Sequence, residues 1–242
     1  MITVVIPTLN AEARLALAFA PLVPAVVDGL VGEVIVVDGG SHDRTLDVAE
    51  HAGATIVTSP QGRGPQLGAG ARAARGTWLL FLHADTVLEA GWERDAGTFM
   101  ERVDRGDRPA AAAAFRFALD DEGLAPRLLE AMVQIRGAVG LPFGDQGLLI
   151  PRQLYDEIGG YRPMPIMEDV DIVRRLGRRR LTILRARALT SAARYKADGY
   201  AARIARNQVC LALYAAGVAP ARIARVYRGR VDVEAPPVVK SA

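Results

Sequence analysis

The chain has 242 residues, of which 50% are hydrophobic and 24% charged, a balance that fits a globular protein with a sizeable core. Its single cysteine, Cys210, excludes an internal disulfide and a thiolate zinc cluster, and three histidines leave little material for a histidine-built metal site. We therefore expect any bound metal ion to have oxygen ligands, as Mg²⁺ and Mn²⁺ prefer.

The net charge of +3 conceals an uneven distribution along the chain. Residues 1–171 hold 14 Lys and Arg against 24 Asp and Glu, whereas residues 172–230 hold 15 Lys and Arg against one acid. Two interpretations fit this pattern. The arginines form a solvated surface, or they form a basic face that meets phosphate on a substrate or on an anionic membrane.

The first residues and the lengths of the apolar runs indicate where in the cell the protein is located. Met1–Ile6 is apolar but has no basic segment before it, and no apolar run reaches the roughly 20 residues that a membrane span needs. These features predict a cytoplasmic protein, with peripheral contact at the inner face of the membrane as a further hypothesis.

The first half of the sequence alternates continuous apolar runs, typical of parallel strands buried on both faces, with helical segments. The predicted strands are Ile2–Ile6, Glu33–Val37, Thr55–Thr58 and Trp78–Leu82. The predicted helices are Ala11–Val27 (interrupted by Pro21 and Pro24), Thr45–His51 (capped by Ser41 or Asp43) and Ala71–Arg75 after a glycine-rich loop at Gly62–Gly70. This alternation indicates an α/β fold with a doubly wound, mostly parallel sheet, in which ligands bind outside the carboxyl ends of the strands.

The second half is less regular. The predicted strands are Ala110–Ala118 and Leu181–Ala188, and the predicted helices are Leu124–Val139, Gln153–Ile158, Glu168–Arg178 and Tyr200–Ala216. No linker is visible, so we predict one domain over residues 1–230, with a basic C-terminal helix at about residues 197–216. Residues 231–242 are predicted to be a disordered tail.

Polar clusters directly follow three of the predicted strands and should converge on one rim of the sheet. They are Thr8-Leu9-Asn10, Asp38-Gly39-Gly40-Ser41 and His83-Ala84-Asp85. Asp38 either belongs to a simple turn or accepts hydrogen bonds from a nucleotide base or ribose. Asp85 closes the most hydrophobic strand, where a carboxylate is costly unless a divalent cation on a nucleotide diphosphate compensates it. The alternative for Asp85 is a helix cap.

Glu168-Asp169-x-Asp171 places three carboxylates at the start of a helix. Acids there complement the helix dipole, worth about 0.3–1 kcal/mol. They also follow a Gly- and Pro-rich segment, residues 159–167, where a rigidly held carboxylate would accept a proton from an acceptor hydroxyl. Spacing alone leaves both interpretations open.

Residues 61–70 form a glycine-rich segment that carries Arg63. No Gly-Lys-Ser/Thr follows, so it is not a Walker loop. It either lines a nucleotide pocket or is a plain surface loop.

Five motifs in this order resemble family 2 glycosyltransferases, the inverting group with the GT-A fold. They are Val4–Glu12, Val36–Thr45, Gly62–Gly70, Phe143–Gly147 and Met167–Asp171. The resemblance extends from Ile2 to about Arg228. Within the family, the sequence is similar to a small single-domain subgroup, the arsenosugar-biosynthesis-type or selenodomain-associated glycosyltransferases.

The resemblance implies a GT-A fold, with a Rossmann-like nucleotide-binding half and an acceptor half. It implies metal-assisted, inverting, non-processive transfer of one sugar from a nucleotide sugar, in the first instance a UDP-sugar, to a hydroxyl of a small molecule or lipid, with no nucleic-acid partner. The implied donor-binding residues are Pro7, Thr8, Asn10, Glu12, Asp38, Gly39, Arg63, Gly64, Gln66, Ala84 and Asp85. The implied acceptor-side residues are Gly144, Asp145, Gln146 and Glu168, with Asp169 as the base and Asp85 as the ligand of Mg²⁺ or Mn²⁺.

Two departures from the family pattern matter. His83 stands where the family's Asp-x-Asp has its first acid, so it is either a metal ligand or a structural histidine hydrogen-bonded to backbone. The Gln-x-x-Arg-Trp motif of processive synthases is absent, which predicts single additions. Downstream, Arg194 either reaches the diphosphate or lies on the surface. Arg203 and Arg206 either face a membrane or point outward from a packed helix.

Two other functions compete with this hypothesis. A sugar-phosphate nucleotidyltransferase needs a Gly-, Arg- and Lys-bearing loop after the first strand, and Pro7–Asn10 stands there instead. A non-catalytic nucleotide-sugar-binding or membrane-surface protein is disfavoured by Asp85 and Glu168-Asp169, but the missing first acid keeps it open.

Overall fold

The structure is a computed structural model that describes residues 1–138 and 144–228. Its strands are β1 (Ile2–Thr8), β2 (Val31–Asp38), β3 (Thr55–Thr58), β4 (Trp78–Phe81), β5 (Thr86–Leu88), β6 (Ala112–Leu119), β7 (Leu148–Pro151) and β8 (Leu181–Thr190). Its helices are α1 (Glu12–Phe19), α2 (Val23–Val27), α3 (Thr45–His51), α4 (Arg63–Ala73), α5 (Trp92–Asp104), α6 (Leu124–Ala138), α7 (Arg152–Glu157), α8 (Glu168–Leu176), α9 (Ala193–Asp198), α10 (Tyr200–Ala215) and α11 (Pro220–Arg228). The predicted tail, residues 231–242, and Phe143 of the predicted acceptor loop lie outside the described residues.

The strands form one sheet in the order β3-β2-β1-β4-β7-β6-β8-β5. β1 pairs in parallel with β2 and β4, β2 with β3, and β6 with β8. β7 runs antiparallel between β4 and β6, and β5 is antiparallel to β8. The predicted α/β fold with a mostly parallel sheet is confirmed.

Both faces of the sheet are covered, as the continuous apolar runs predict. Ile2, Val4 and Ile6 of β1 pack on one side with residues of α1, α2 and α5, while Val5 packs on the other with residues of α4, α7 and α8. The central strands are therefore fixed from both sides, and the loops at their carboxyl ends start from a rigid base.

The glycine-rich segment is a helix, and its prediction as a loop leading into a helix at Ala71–Arg75 was wrong. α4 begins at Arg63 after Gly62, whose φ of 139° suits glycine. The helical glycines allow close packing: a Cβ on Gly70 would lie 2.3 Å from Val5 Cγ1, and one on Gly64 would lie 2.3 Å from the Arg162 carbonyl oxygen. The glycines therefore bring the helix against the sheet and a neighbouring loop.

Smaller differences concern caps and short elements. The interruption predicted near Pro21 and Pro24 is confirmed, because a 3-10 turn at Ala20–Leu22 separates α1 from α2. Arg44 holds the cap position of α3 instead of the predicted Ser41 or Asp43, although the Asp43 carboxylate accepts from the Thr45 N–H at 3.0 Å. The predicted C-terminal helix is split at Gly199 into α9 and α10.

Among the helices of the described ranges, none combines the length and the apolar character that crossing a membrane requires.

Candidate functional site

The carboxyl ends of β1 and β2 lie side by side, because Thr8 pairs with Asp38 in the sheet register. A cleft of about 530 Å³ opens at this edge. Of the predicted donor-side residues, those that line the cleft are Pro7, Thr8, Asn10, Arg63, Gln66, Ala84 and Asp85. Of the three polar clusters predicted to converge, those after β1 and β4 line the cleft together with the start of α4, whereas no residue of the cluster Asp38-Gly39-Gly40-Ser41 is in the described lining.

The loops after β1 and β2 are joined by hydrogen bonds. The Asn10 N–H donates to Ser41 Oγ at 2.9 Å, and Asn10 Oδ1 accepts from the His42 N–H at 2.9 Å. The Glu12 N–H donates to Asp43 at 3.0 Å, and the Glu12 carboxylate accepts from the Arg44 N–H at 3.2 Å. Glu12 is absent from the described lining of the cleft, and its carboxylate helps to connect the two loops.

Asp38 is 3% exposed, and its carboxylate is used within its own turn. Oδ2 accepts from the N–H groups of Gly40 and Ser41 at 2.8 and 2.9 Å, and Oδ1 accepts from the Ser41 hydroxyl at 2.5 Å. Burial acts to raise the pKa of Asp38, but the hydrogen bonds from Ser41, Gly40 and Thr8 outweigh it, and the pKa is lowered. Asp38 and Gly39 stand behind the cleft lining, and a nucleoside contact by Asp38 stays a prediction.

Gln66 holds the ends of the two strands together from α4. Its Nε2 donates to the Thr8 carbonyl at 2.8 Å and to the Val37 carbonyl at 2.7 Å. The side chain is buried, and a Cβ on Gly39 would lie 3.1 Å from Nε2, a tight contact that would require the amide to shift slightly. Gln66 therefore shapes the floor of the cleft. Gly64 is packed against the loop after α7 and lies outside the lining.

His83 pairs through Nδ1 with a carboxylate, a partner that neither of its two predicted roles includes. Its Nδ1 lies 3.4 Å from Asp145 Oδ1. Burial acts to raise the pKa of Asp145, but the hydrogen bond and charge of His83 and the charges of Arg63 and Arg194 lower it well below its usual range. The contact links the segment after β4 to the 3-10 turn at Gly144–Gln146, which carries the predicted acceptor-side residues.

Side-chain and backbone hydrogen bonds near the end of β8 hold the two segments in place. The Thr190 hydroxyl donates to the Asp145 carbonyl at 2.9 Å, and the Ser191 N–H donates to the Asp85 carbonyl at 3.2 Å. Gln146 is buried and donates to the Phe115 carbonyl at 2.9 Å, which fixes the turn on β6. The Asp85 side chain is left on the cleft wall.

The described residues include no group of three or more His, Cys, Asp or Glu that would hold a metal ion by themselves. Asp85 lines the cleft, and His83 is engaged with Asp145. A hard divalent cation commonly takes one or two protein carboxylates and completes its coordination with substrate phosphates and water. The single carboxylate of Asp85 fits an ion of that kind, which would arrive with a diphosphate.

A second, narrower cavity of about 110 Å³ adjoins the cleft. Arg63, Ile166 and Tyr227 line both spaces. The predicted acceptor-side Asp145 and Glu168 and the predicted base Asp169 line the narrower one. Both oxygens of Glu168 are buried without a hydrogen-bond partner among the described residues.

The start of α8 positions these acids. Met167, at the N-cap position of α8, has a φ of 68°, which is a left-handed conformation. This conformation is energetically unfavourable for a residue other than glycine, so the surrounding packing must stabilise it. Burial, followed by the charge of Asp169, raises the pKa of Glu168 to about 7. Burial acts to lower the pKa of Arg63. The negative charges of Glu168, Asp145 and Asp169 have a larger, opposite effect, so the pKa of Arg63 is raised.

Asp171, the third acid of the motif, forms ion pairs with two arginines. Its carboxylate accepts from Arg162 at 3.1 Å and from Arg175 Nε at 2.8 Å. Arg175 in turn donates to the carbonyls of Ile158 and Gly160, so this ion pair fastens the Gly- and Pro-rich loop to α8.

Sequence reasoning missed the part that α10 and α11 play in the site. Ile204, Asn207 and Leu211 of α10 line the narrow cavity, and Tyr227 of α11 stands between the two spaces. Arg203, expected at a membrane or pointing outward, is 7% exposed, contacts Asp198 at 3.2 Å and donates to the Tyr227 hydroxyl at 2.5 Å. The apolar spacing of α10 signalled a packed face, but only the tertiary contacts show which space it covers. Arg194, by contrast, lines the cleft, and its contact with a diphosphate stays a prediction.

Comparison with known proteins identifies the family. The model of the family described as "Glycosyl transferase family 2" matches residues 3–159. Relatives include a PGL/p-HBAD biosynthesis glycosyltransferase of Mycobacterium bovis, 37% identical over 101 residues that are 36% of each chain. A glucosyl-3-phosphoglycerate synthase of Mycobacterium tuberculosis is 36% identical over 95 residues, which are 36% of this chain and 29% of that protein. The chain thus matches about a third of the length of these relatives.

Solved structures with the GT-A fold are similar to this one. A structure of S. aureus TarS (residues 1–349) superposes with a TM-score of 0.60 at 16% identity, covering 93% of this chain and 69% of that one. The M. tuberculosis glucosyl-3-phosphoglycerate synthase in complex with Mn²⁺, UDP and phosphoglyceric acid superposes with a TM-score of 0.53 at 24% identity, covering 76% of this chain and 67% of that one. The GT-A fold expected from the resemblance is confirmed. The chain belongs to glycosyl transferase family 2.

Proposed function

We propose that this family 2 member transfers one sugar from a nucleotide sugar, in the first instance a UDP-sugar, to an acceptor hydroxyl with inversion at the anomeric carbon. The observation that carries the proposal is the junction of two spaces, a cleft at the strand ends and a narrower cavity walled by Glu168 and Asp169, with Arg63 in both linings. A donor in the cleft and an acceptor in the cavity would meet there. The glucosyl-3-phosphoglycerate synthase complex with Mn²⁺ and UDP-glucose is consistent with such a donor.

On the donor side, Asp85 would hold Mg²⁺ or Mn²⁺ together with the diphosphate. When bound, the ion offsets the negative charge that collects on the departing diphosphate. Arg63 and Arg194 line the same cleft and supply fixed positive charge toward the same oxygens. The joined loops after β1 and β2, which carry Asn10 and Asp38, would receive the nucleoside.

On the acceptor side, Asp169 is the proposed base. The acceptor oxygen forms a bond to the anomeric carbon while the bond from that carbon to the diphosphate oxygen breaks. The bonding electron pair leaves with the diphosphate, and the hydroxyl proton passes to the Asp169 carboxylate. The proposal also includes the addition of one sugar to each acceptor instead of a growing chain. It further includes one domain over residues 1–230 and a cytoplasmic location.

Replacing the proposed base tests the catalytic half of the proposal. We expect Asp169→Asn to lower sugar transfer by roughly 10²–10⁴-fold, because the amide cannot take the proton, while UDP affinity stays near that of the parent. Transfer would be followed by release of UDP, and affinity by calorimetry. Asp107→Asn, at an exposed acid remote from the site, is the matched control. Near-parental turnover of Asp169→Asn would refute its role as base.

Removing the proposed metal ligand tests the donor half. We expect the parent to bind UDP more tightly with Mn²⁺ than without it, and we expect Asp85→Ala to lose that difference. Calorimetric titration of both proteins with and without Mn²⁺ measures it directly. If Mn²⁺ leaves the UDP affinity of the parent unchanged, the metal site at Asp85 is wrong.

A non-catalytic nucleotide-sugar-binding protein is the second candidate. The engagement of His83 with Asp145 favours it, since only Asp85 is then offered to a metal ion. This candidate requires UDP-sugar binding without any transfer or donor hydrolysis by the parent protein. Turnover that is lost in Asp169→Asn would eliminate it.

A further inference from the structure

The narrow cavity beside the cleft is lined by both charged and apolar side chains. The charged side chains, which interact with one another and which we call the polar end, are Arg63, Asp145, Glu168 and Asp169. The remaining wall is largely apolar, with Phe117 from β6, Leu129 and Val133 from α6, and Ile204 and Leu211 from α10. A ligand that fills this space needs an apolar body and a polar group at one end.

The polar atoms that lack partners are concentrated in this cavity. In residues 1–138 and 144–228, the buried side-chain atoms without a hydrogen-bond partner are both carboxylate oxygens of Glu168 and Oδ1 of Asn207. Glu168 is 1% exposed, and both residues line the cavity. Buried polar groups are nearly always hydrogen-bonded, because an orphan has lost its hydrogen bonds to water without gaining others. The Asn207 oxygen and both oxygens of an ionised Glu168 are acceptors, so a ligand that donates hydrogen bonds would satisfy them.

The charges around the polar end disfavour an anionic ligand. Arg63 is the cation of this lining, and it faces the carboxylates of Glu168, Asp145 and Asp169. A phosphorylated or carboxylated acceptor would add negative charge among three acids, which already outnumber Arg63 in the lining and Arg194, whose charge acts on Asp145 from the cleft. Neutral hydroxyl groups carry no such penalty.

The size of the cavity limits the ligand further. Its volume is about 110 Å³. A protein cavity of about 150 Å³ lined by apolar side chains accommodates benzene. A single six-membered ring is therefore of the right order, with any larger substituent directed toward the cleft.

We infer that this cavity is the acceptor subsite and that it takes a neutral, ring-sized alcohol or phenol, whose reacting hydroxyl donates to Glu168 and whose second donor reaches Asn207. The inference rests on the proposed function, because the hydroxyl lies beside Asp169, the proposed base. During transfer the hydroxyl turns its single proton from Glu168 to the adjacent Asp169, which receives the proton as the bond to the anomeric carbon forms.

Binding of simple ring compounds to the whole chain, without any donor, tests the inference independently of turnover. The probes are phenol, catechol and 3-phosphoglycerate, followed by ligand-observed NMR. We expect phenol and catechol to bind and 3-phosphoglycerate to bind at least tenfold more weakly. Ile204→Trp, which fills the cavity, should weaken phenol binding by tenfold or more. Val209→Trp is the control, because Val209 lies on the same helix but is 49% exposed.

A second variant isolates the orphan amide. Asn207→Leu should reduce the preference for catechol over phenol by roughly fivefold, since one hydrogen bond is worth about 1 kcal/mol and only catechol has a second donor. An unchanged preference, stronger binding of 3-phosphoglycerate, or phenol binding that survives Ile204→Trp would overturn the inference. UDP binding is measured in parallel. Its absence from the parent would refute the proposed donor, whereas failure of the ring compounds alone would refute only the acceptor class.

Discussion

Three acids of one short segment occupy three different environments. Asp171 is held by Arg162 and Arg175, Asp169 lines the narrow cavity, and Glu168 lies deepest, with no described partner for its oxygens. The structure thus separates an ion-paired acid from two acids that line the cavity, and the catalytic role of Asp169 stays a proposal. A helix-dipole contribution applies to all three and does not distinguish them.

The buried Glu168 should leave a signature in the pH dependence of stability. Its pKa rises from 4.5 to about 7 on folding because burial and Asp169 disfavour its charge. A carboxyl with a raised native pKa contributes stability that is complete below pH 4.5 and is lost as the pH rises through 7. The loss corresponds to roughly 3 kcal/mol in the free energy of unfolding.

We therefore expect Glu168→Gln to flatten this part of the profile. The variant should match the parent near the acid end of the window and exceed it in melting temperature at about pH 8, because Gln carries no charge to bury. Thermal unfolding across the window measures the difference, with Asp107→Asn as a control that should follow the parent. Parallel profiles for Glu168→Gln and the parent would contradict the raised pKa.

At the scale of elements, the glycines of α4 decide how closely the helix approaches the sheet. A Cβ on Gly70 would lie 2.3 Å from Val5 Cγ1 and 2.8 Å from Val37 Cγ2. Both neighbours are fully buried core residues that cannot yield easily. Because the first turn of α4 carries Arg63 and Gln66, any retreat of the helix would also disturb the cleft.

Two Gly→Ala substitutions of opposite expected sign test this packing. Gly70→Ala should lower the free energy of unfolding by roughly 1–3 kcal/mol through overpacking. Gly97→Ala, within α5, meets no atom within 4 Å and should raise it by roughly 0.5–1 kcal/mol through helix propensity. Urea unfolding of the two variants gives both values. Equal effects of the same sign would mean that α4 is not held by close contact.

The same helix shows where sequence reasoning ends. Strands such as Ile2–Thr8 could be predicted because burial on both faces requires a continuous apolar run. The glycine-rich sequence of α4 is typical of a loop, because glycine is a poor helix former. Its helical structure is explained only by close packing against the sheet, which the sequence does not reveal. The convergence of Thr8 and Asp85 followed from the strand-end rule, but the carboxylate bonded to His83 is 62 residues away in the chain, a distance that no local pattern spans.

At the scale of the whole molecule, arginines of the basic C-terminal segment form ion pairs with acids of the first 171 residues. Arg187 of β8 contacts Glu89 at 2.8 Å, Arg180 contacts Glu157 at 2.7 Å, and Arg175 contacts Asp171 at 2.6 Å. Each pair joins a basic residue of the C-terminal segment to an acid of the first 171 residues. Part of the basic surplus therefore serves to hold the chain together, and the membrane contact hypothesised from the sequence stays a prediction.

This complementarity predicts that salt destabilises the fold. Raising NaCl from about 0.05 M to about 0.5 M shortens the Debye length to a few ångströms and should weaken exposed pairs such as Arg187–Glu89, each worth about 0.2–1 kcal/mol. With a net charge of only +3, relief of general repulsion should not compensate for this loss. We expect the urea midpoint to fall with salt, and to fall less in the double variant Glu89→Gln, Arg187→Gln, which lacks one of the pairs. A midpoint that rises with salt in the parent would show that like-charge repulsion among the arginines outweighs their pairing, and the basic segment would then regain its place as a candidate binding face.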